Sequence, residues 1–455
     1  MNYKEKRRLL GLLFWMKAGF AFCLAFGSLA YIAWEISYQH QHPPLGEFDR
    51  PGIPFADLDS VDAPRCFYKN DSSSLARLES PDMHSFILGF SLDWSVDTPS
   101  LLSERTKGLK PSLFNSYIAM SETEFEKEMI TWQARHVRKL NAALQISLMP
   151  NVSIQNIQPQ TYRMIAKHMR FVNSEIGVPV FLRFGHEMNG PWMVNYGMRP
   201  LAYKRAFITL ASEVRKQTNL TAMVWAPNLG NSYPFGLDPY NPTNGPHDEF
   251  MALDTNGDGI LDIKDDPYEP YFPGPEWVDW VGLSIYNYNY SSPTGQAYPS
   301  PQDAFTSQKS GSTIINGGTK TDQYNFYHRF VESTHRPFMF SETGASYNVG
   351  PGVTTGQQPK DAQQLIELQI KQAWINSILD NAATNFTRMR SAIWFEEQKS
   401  ELSSIVPGQF VWRDYRITYN DSLKDSIIPM LKNEHMLRWA DSFTYSCNGT
   451  VAIVN

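Results

Sequence analysis

Two glutamates follow short apolar runs that have the pattern of buried strands. Glu187 comes shortly after the run 178–183, and Glu342 comes shortly after the run 337–340. In a barrel of parallel strands, polar residues that follow a strand point toward the open face where active sites lie. Two carboxylates that face each other can cleave a glycosidic bond, because one protonates the leaving oxygen while the other attacks the anomeric carbon. For either glutamate alone, a salt bridge is the alternative interpretation.

The elements that must position these glutamates alternate between strand-like and helix-like patterns. Strand-like apolar runs lie at residues 85–90, 143–148, 178–183, 222–225, 278–283, 337–340 and 391–394. Strand and helix alternate about eight times over about 350 residues, which predicts an α/β fold with a parallel sheet. The most economical closed arrangement is a (β/α)8 TIM barrel, with the two glutamates after strands four and seven. A doubly wound open sheet is the alternative, but no Gly-x-Gly-x-x-Gly segment follows these runs.

Two helices can be recognised from residue spacing. Ser121 and Glu124 have the spacing of a capping box, in which two side chains bond backbone amides at the start of a helix. The helix that follows is expected to bury a face formed by Phe125, Met129, Trp132, His136 and Leu140. A second apolar face, at every fourth residue, consists of Ile366, Ile370, Trp374 and Ile378.

The segment around the first glutamate resembles a known family. Arg183-x-x-His-Glu-Met-Asn-Gly-x-Trp192 is similar to the acid/base segment of glycoside hydrolase family 26, the clan A retaining β-mannanases and their relatives. Phe340-Ser-Glu-Thr-Gly344 is similar to the nucleophile segment of that family. Three further stretches agree in the family's order, namely Val224–Asn228, Tyr271–Tyr286, and Trp394 with Trp412–Arg416.

The resemblance implies a role for each matching residue. Glu187 would be the general acid/base and Glu342 the nucleophile, with no cofactor for catalysis. His186 would line the subsite, and Tyr286 would donate a hydrogen bond that keeps Glu342 ionised. The full set implied to bind substrate is Arg183, His186, Asn189, Trp192, Trp225, Asn228, Tyr286 and Trp394. The three tryptophans are sugar platforms in this interpretation and core fillers in the alternative.

The implied activity is that of a retaining endo-β-glycosidase that hydrolyses a β-linked polysaccharide. Mannan-like chains, xylan and β-glucan are all candidate substrates. The stretch Met193–Gly197 is one residue longer than the common mannanase version, which weakens the case for mannan in particular. Two alternatives stay open, a transglycosylase in polysaccharide assembly and a non-catalytic glycan-binding barrel.

An acidic loop between the fifth and sixth strands has the spacing of a calcium site. Side-chain oxygens fall at positions 1, 3, 5, 9 and 12 of a twelve-residue loop, with glycine at position 6, as in EF-hand and dockerin-like loops. The predicted Ca²⁺ ligands are Asp254, Asn256, Asp258, Ile260 through its backbone, Asp262 and Asp265. A single loop of this kind predicts structural stiffening, and a turn without metal is the alternative.

The N-terminus has the pattern of a membrane signal. Four basic residues, Lys4, Lys6, Arg7 and Arg8, precede an apolar run from Leu9 to Trp34 that only Lys17 interrupts. This pattern predicts a single-pass type II signal anchor with the rest of the chain in the lumen or outside the cell. A signal peptide cleaved near Ser28-Leu29-Ala30 is the alternative, which would make the protein secreted. Both interpretations export the chain, and seven Asn-x-Ser/Thr glycosylation sequons agree with export.

These patterns divide the chain into four parts. We predict a cytosolic tip and anchor at 1–35, a linker at 36–80, the barrel at 81–440 with the calcium-loop insertion near 229–274, and a C-terminal tail at 441–455. Cys23 lies in the anchor, whereas Cys66 and Cys447 bracket the barrel. In an oxidising compartment these two can form a disulfide, and two unpaired thiols are the alternative.

The overall charge excludes one class of partner. The formal net charge is −6, with 46 acidic against 40 basic side chains. A nucleic-acid backbone is bound through positive charge, so no nucleic-acid partner is expected. The predicted partners are the polysaccharide and, through the N-terminal helix, a membrane.

Overall fold

The computed structural model describes residues 75–454, apart from 231–232, 237–246, 288–324, 351–352, 354–359, 404–405 and 407. The predicted anchor at 1–35 and nearly all of the predicted linker lie outside the described residues. Across the described ranges, no helix is both long and apolar enough to cross a bilayer. The short segment Asp93–Asp97 belongs to a different structural unit from the other described residues. Within this segment, the backbone amide of Ser95 donates to Asp93 Oδ1.

Eight parallel strands close into a barrel, so the predicted barrel is confirmed. The strands are β1 (Ile87–Leu92), β2 (Leu113–Met120), β3 (Ala143–Pro150), β4 (Val180–Phe184), β5 (Thr221–Trp225), β6 (Trp280–Asn287), β7 (Phe338–Ala345) and β9 (Met389–Glu396). The barrel closes where β1 pairs with β9, and this pairing rules out an open sheet. Glu187 follows β4, as predicted, whereas Glu342 lies within β7 because that strand extends to Ala345.

Helices follow most barrel strands, and their bounds can be stated together. They are α1 (Pro99–Arg105), α2 (Lys127–Arg138), α3 (Pro159–Phe171), α4 (Pro200–Gln217), α5 (His247–Leu253), α6 (Lys360–Thr384) and α7 (Asp421–Asn433). Short 3-10 turns lie at Ile154–Asn156, Glu269–Tyr271 and Ala440–Ser442, and π-helical turns lie at Val172–Ile176 and Tyr327–Glu332. In α6, three of the four predicted apolar positions, Ile370, Trp374 and Ile378, are buried.

A small antiparallel sheet extends from the barrel. It consists of β10 (Gln398–Leu402), β11 (Phe410–Asp414) and β8 (Tyr347–Val349), with β11 in the middle. Strand β8 begins two residues after β7 ends, and β10 begins two residues after β9 ends. The sheet therefore continues from the strand ends on the side of the barrel that carries Glu342.

The prediction for α2 was wrong in both its start and its buried face. Ser121 Oγ accepts the backbone amide of Glu124 at 3.0 Å, but this turn leads into an isolated bridge between Met120 and Phe125. The helix itself begins only at Lys127 and has no side-chain cap. Its buried residues are Ile130, Gln133, Ala134 and Val137, whereas the predicted core residue Met129 is 44% exposed.

The lower end of the barrel, where the strands begin, is closed by segments from both ends of the described chain. Leu78, from the predicted linker, and Phe443 and Val451, from the predicted tail, join the core formed by inward side chains of the barrel strands. Phe443 and Val451 belong to the hairpin β12 (Phe443–Tyr445) and β13 (Val451–Ile453). Both segments are thus part of the barrel core in the structure.

Of the two cysteines that were predicted to pair, only Cys447 lies in the described part of the chain. Cys447, between β12 and β13, is disulfide-bonded. Cys66 and Cys23 lie outside the described residues. The pairing of Cys447 with Cys66 therefore stays a prediction.

Candidate active site

The segment after β4 places Glu187 in a strained backbone conformation. Gly185 and Glu187 both have a φ of +54°, in the left-handed region that residues other than glycine rarely adopt. The backbone amide of Glu187 donates to the carbonyl of Ala226 after β5, at 2.9 Å. Non-glycine residues in this region cluster at functional sites, because the surrounding structure must hold them there. Glu187 is accordingly fixed between the ends of β4 and β5.

Two hydrogen bonds hold the carboxylate of Glu187. Trp192 Nε1 donates to Oε2 at 2.7 Å, and Asn228 Nδ2 donates to Oε1 at 3.0 Å. Burial raises the pKa of Glu187, and the negative charge of Glu342 raises it further, while Arg183 and the two hydrogen bonds oppose the rise. The net effect is a raised pKa, which favours the protonated form that a general acid needs.

Glu342, on β7, lies in a different environment. Its Oε2 accepts a hydrogen bond from Arg183 Nη1 at 2.8 Å, and its Oε1 accepts one from Tyr286 Oη at 2.6 Å. Burial alone would raise the pKa of Glu342, but Arg183, with contributions from His186, Lys399 and Tyr286, lowers it to about 2. The carboxylate is therefore ionised at neutral pH.

Beneath Glu342, a layer of polar side chains fixes Arg183. Arg183 is fully buried on β4, and its Nη2 donates to Ser284 Oγ at 2.5 Å. Ser147 Oγ donates to Asn115 Oδ1 at 2.9 Å, and Arg183 Nη1 lies 3.4 Å from that serine oxygen. Gln145 Nε2 links Asn115 to the backbone carbonyl of Ser341. Both Nη atoms of Arg183 thus have partners, whereas its Nε is buried without one among the described residues. Because a buried charge is tolerated when it is paired, this network stabilises the Arg183–Glu342 ion pair.

Several residues implied to bind substrate instead support other residues. Asn189 Nδ2 donates to the Asn228 carbonyl, and Asn189 Oδ1 accepts the Asn228 amide, both at 2.8 Å. This pair orients the Asn228 side chain toward Glu187. Arg183 likewise contacts Glu342 and is fully buried, so it positions that carboxylate.

The three tryptophans differ in their accessibility. Trp192 is 44% exposed beside Glu187, so one of its faces is available to a ligand. Trp225 is fully buried and packs against Phe272 and Phe330, and Trp394 is fully buried with Nε1 bonded to the carbonyl of Tyr415. The structure does not support sugar platforms at Trp225 and Trp394, because a fully buried ring offers no face to a sugar.

The imidazole of His186 is buried within the electrostatic influence of Arg183 and Glu342. Burial and the charge of Arg183 lower its pKa to about 3, so the imidazole is neutral. Its ring centroid lies 5.5 Å from that of Tyr117. The main chain is fixed because Tyr196 Oη donates to the His186 carbonyl at 3.0 Å.

Two residues near Glu342 were missed by the sequence reasoning. Tyr117, on β2, has a raised pKa because of burial and the negative charge of Glu342. Lys399, on β10, lies over the ring of Phe395 with Nζ 4.7 Å from its centroid, and its charge helps to lower the pKa of Glu342. Neither residue stands in a recognisable motif, since β2 was not singled out and Lys399 lies in an extension of the barrel.

The predicted calcium loop forms a tight turn. Asp254 Oδ1 accepts the backbone amides of Gly257 and Asp258, and Asp254 Oδ2 accepts that of Gly259. Asp262 Oδ2 pairs with the ammonium of Lys264 at 3.0 Å. Over the ranges that the structure covers, no cluster of three or more His, Cys, Asp or Glu side chains is arranged to hold a metal ion. Calcium binding therefore stays a prediction.

The sequence profile of glycosyl hydrolase family 26 matches residues 148–300. The resemblance to glycosyl hydrolase family 26 is confirmed. The matched segment includes Glu187 and ends before Glu342, and it supports a glycoside hydrolase. No curated protein sequence matches this chain.

Solved structures of family 26 proteins resemble the chain at low identity. A GH26 protein from Muricauda sp. has 13% identity, covers 80% of this chain and 94% of its own, and has a TM-score of 0.40. The catalytic domain of a Bacillus sp. GH26 endo-β-1,4-mannanase has 14% identity, coverages of 83% and 96%, and a TM-score of 0.44. A GH26 β-mannanase from Bacteroides ovatus has 11% identity, coverages of 78% and 91%, and a TM-score of 0.42. Likenesses this distant carry no weight for substrate or mechanism.

Proposed function

We propose that the protein is a retaining endo-β-glycosidase that acts on a β-linked polysaccharide. The observation that carries the proposal is the opposite pKa shift of two buried carboxylates, one just after β4 and one on β7. Burial and the charge of Glu342 raise the pKa of Glu187, while Arg183 and Tyr286 keep Glu342 ionised. A pair of carboxyl groups with separated pKa values is the arrangement that acid and nucleophile roles require.

In the first step, a proton and an electron pair move in opposite directions. Glu342 Oε attacks the anomeric carbon and forms the glycosyl–enzyme ester, while the glycosidic bond breaks and its electron pair goes to the leaving oxygen. Glu187 transfers its proton to that oxygen. The hydrogen bonds from Asn228 and Trp192 then stabilise the Glu187 carboxylate that forms.

In the second step, Glu187 acts as a base. It takes a proton from water, whose oxygen attacks the anomeric carbon and releases Glu342 as a carboxylate. Two inversions at one carbon give net retention of configuration. Because Glu187 gains a proton again, each turnover regenerates the starting state.

The substrate proposal is a neutral or substituted β-linked chain such as mannan, xylan or β-glucan. The exposed face of Trp192, beside Glu187, offers an aromatic surface against which the C–H face of a pyranose ring can pack. Transglycosylation uses the same first step and differs only in the acceptor, so product analysis separates it from hydrolysis.

The location and the metal are proposed from the sequence. The N-terminal segment would anchor the protein as a type II membrane protein or, if cleaved, release it, and in both cases the barrel meets extracellular or lumenal polysaccharide. The loop from Asp254 to Asp265 would bind Ca²⁺ and stiffen the insertion. Calorimetry with Ca²⁺ and with chelator tests this site, since an unchanged melting temperature in the wild type would contradict it.

The deciding experiment is a panel of β-mannan, xylan and β-glucan with three variants. We expect the wild type to hydrolyse one of them with retained anomeric configuration, and Glu187→Ala and Glu342→Ala to lose that activity. Glu79→Gln is the control, because Glu79 is also buried but follows Leu78, which packs at the lower end of the barrel. Activity that survives in Glu342→Ala would overturn the mechanism. A wild type that binds but never cleaves these glycans would identify a glycan-binding barrel.

A further inference from the structure

Residues of the insertion at 229–274 lie next to both hydrogen-bond donors of Glu187. Asn228, the donor to Oε1, directly precedes the insertion. Within the insertion, the ring of Phe235 packs edge-to-face against that of Trp192, the donor to Oε2, with a centroid distance of 4.8 Å. The sequence predicted this insertion only as the carrier of a metal-binding loop, so its contact with the acid/base site is a separate feature.

Phe235 has an unfavourable backbone conformation. Its φ is +63°, in the left-handed region where a bulky residue is a rare outlier. Such strain persists only where the surrounding structure imposes it, commonly at functional sites. The ring of Phe235 is flanked by Trp192 and by Tyr233, whose centroid lies 5.8 Å away. Because Trp192 is partly exposed, this contact restricts its rotation and keeps Nε1 directed at Glu187.

Gly230 connects the start of the insertion to Tyr268. The backbone amide of Gly230 donates to Tyr268 Oη at 2.8 Å, while its carbonyl accepts the amide of Tyr233 at 3.2 Å. Gly230 is buried, so the phenol satisfies an amide that would otherwise lack a partner. A methyl group on Gly230 would lie 2.5 Å from Pro267 Cγ, so this close approach requires glycine. The two hydrogen bonds fix the backbone at the start of the insertion.

Tyr268 is itself held firmly by its neighbours. It is fully buried, and its ring packs against that of Phe326 with a centroid distance of 4.8 Å. Its backbone amide donates to Asp266 Oδ1 at 2.8 Å, and Asp266 Oδ2 pairs with Arg329 Nη1 at 2.6 Å. The hydroxyl of Tyr268 is thus a fixed point to which the start of the insertion is attached.

We propose that two residues of the insertion, Phe235 and Tyr268, position Glu187. Phe235 holds the donor Trp192, and Tyr268 holds the backbone that follows the donor Asn228. This inference rests on the proposed glycosidase function, because it assigns the insertion to the acid/base step. Loss of either contact weakens a hydrogen bond that lowers the pKa of Glu187, so the carboxyl should keep its proton to higher pH.

Infrared difference spectroscopy measures the pKa of Glu187 without turnover. The protonated-carboxyl band that disappears in Glu187→Gln identifies this group, and its pH dependence is followed in the full chain. We expect Phe235→Leu and Tyr268→Phe each to raise the pKa of Glu187 by about 0.5–1 unit, the contribution of one hydrogen bond. In a Trp192→Phe background, which removes the Nε1 donor, Phe235→Leu should have no further effect.

The kinetic effects should differ from those of a simple loss of stability. For Phe235→Leu and Tyr268→Phe, we expect kcat to fall about 3–10-fold with KM changed less than about twofold. The alkaline limb of the kcat profile should move to higher pH together with the pKa of Glu187.

Tyr327→Phe is the matched control for Tyr268→Phe. Tyr327 Oη likewise accepts a backbone amide, that of Arg388 at 2.7 Å, but its ring packs against Phe338 at the start of β7. This variant should lose stability while kcat and the pKa of Glu187 stay at their wild-type values.

The outcomes separate the inference from the function on which it rests. A pKa of Glu187 within about 0.1 unit of the wild-type value in both variants, with only a lower melting temperature, would overturn the inference and leave the glycosidase function intact. If the wild type hydrolyses no β-glycan, the proposed function fails, and the infrared pKa still decides whether the two residues position Glu187. Should Tyr268→Phe fail to fold, Phe235→Leu decides the question, because the side chain of Phe235 is only partly buried.

Discussion

Replacement of Arg183 by methionine tests the electrostatic basis of the site. Arg183 is fully buried, and its Nη1 lies 2.8 Å from Glu342 Oε2. Methionine preserves much of the volume but removes the charge. Removing one partner of a buried ion pair destabilises the fold by about 3–5 kcal/mol, because the remaining carboxylate stays desolvated without compensation.

The stability that the ion pair contributes can also be estimated from the pKa of Glu342. A folded-state value of about 2, against an ordinary value of 4.5, corresponds to about 3 kcal/mol of stability at pH 7. Because this pKa is depressed, the contribution is present above about pH 4.5 and is lost as the pH falls toward 2. In Arg183→Met, burial is no longer opposed by the arginine, so the pKa of Glu342 should rise.

Urea denaturation at pH 7 and pH 4 measures both effects. We expect Arg183→Met to lower the free energy of unfolding by at least about 3 kcal/mol at pH 7, and by less at pH 4. The double variant Arg183→Met/Glu342→Gln should cost less than the sum of the two single variants, because no unpaired charge is left buried. Equal destabilisation at both pH values, or strict additivity, would refute the reasoning. Activity at pH 7 should fall sharply in Arg183→Met as the nucleophile becomes protonated.

Three further predictions concern Glu187 and the barrel core. Asn228→Ala should move the alkaline limb of the pH–activity profile to higher pH by about one pH unit, because the hydrogen bond from Asn228 lowers the pKa of Glu187 and activity requires the protonated form. A shift to lower pH would contradict this. Gly190→Ala should reduce kcat about tenfold because its methyl group overlaps the Trp192 ring that bonds Glu187, and it should have no additional effect in a Trp192→Ala background. Phe443→Ala should lower the free energy of unfolding by roughly 3–5 kcal/mol in urea titrations, because Phe443 packs in the core at the lower end of the barrel. The folded fraction should keep its activity, and an unchanged free energy of unfolding would exclude that packing role.

The strand pattern was largely readable from sequence because parallel barrel strands are buried on both faces. Seven apolar runs each overlap a barrel strand, and the run at 391–394 lies within β9. The strand β2 was not singled out, since Leu113–Met120 contains Asn115 and Ser116 among its apolar residues. Asn115 faces a buried partner that only the assembled barrel supplies, the side chain of Gln145 on β3.

Helical faces were less predictable than strands. The spacing of Ser121 and Glu124 did form a local turn, as short-range hydrogen bonding dictates. Yet the bridge between Met120 and Phe125 delayed the helix to Lys127, and the buried face shifted to Ile130, Ala134 and Val137. Which face is buried depends on the strands against which the helix packs, and local spacing does not contain that information.

Sequence by itself pointed to the two glutamates, their association with strands four and seven, and the barrel that carries them. These follow from residue type and from apolar periodicity, which are properties of single segments. The tertiary structure decided that Arg183 pairs with Glu342, that Asn228 and Trp192 hold Glu187, and that Tyr286 donates to Glu342. Burial and charge separation arise only when distant segments meet, so the opposite pKa shifts of the two carboxylates exist only in the folded barrel.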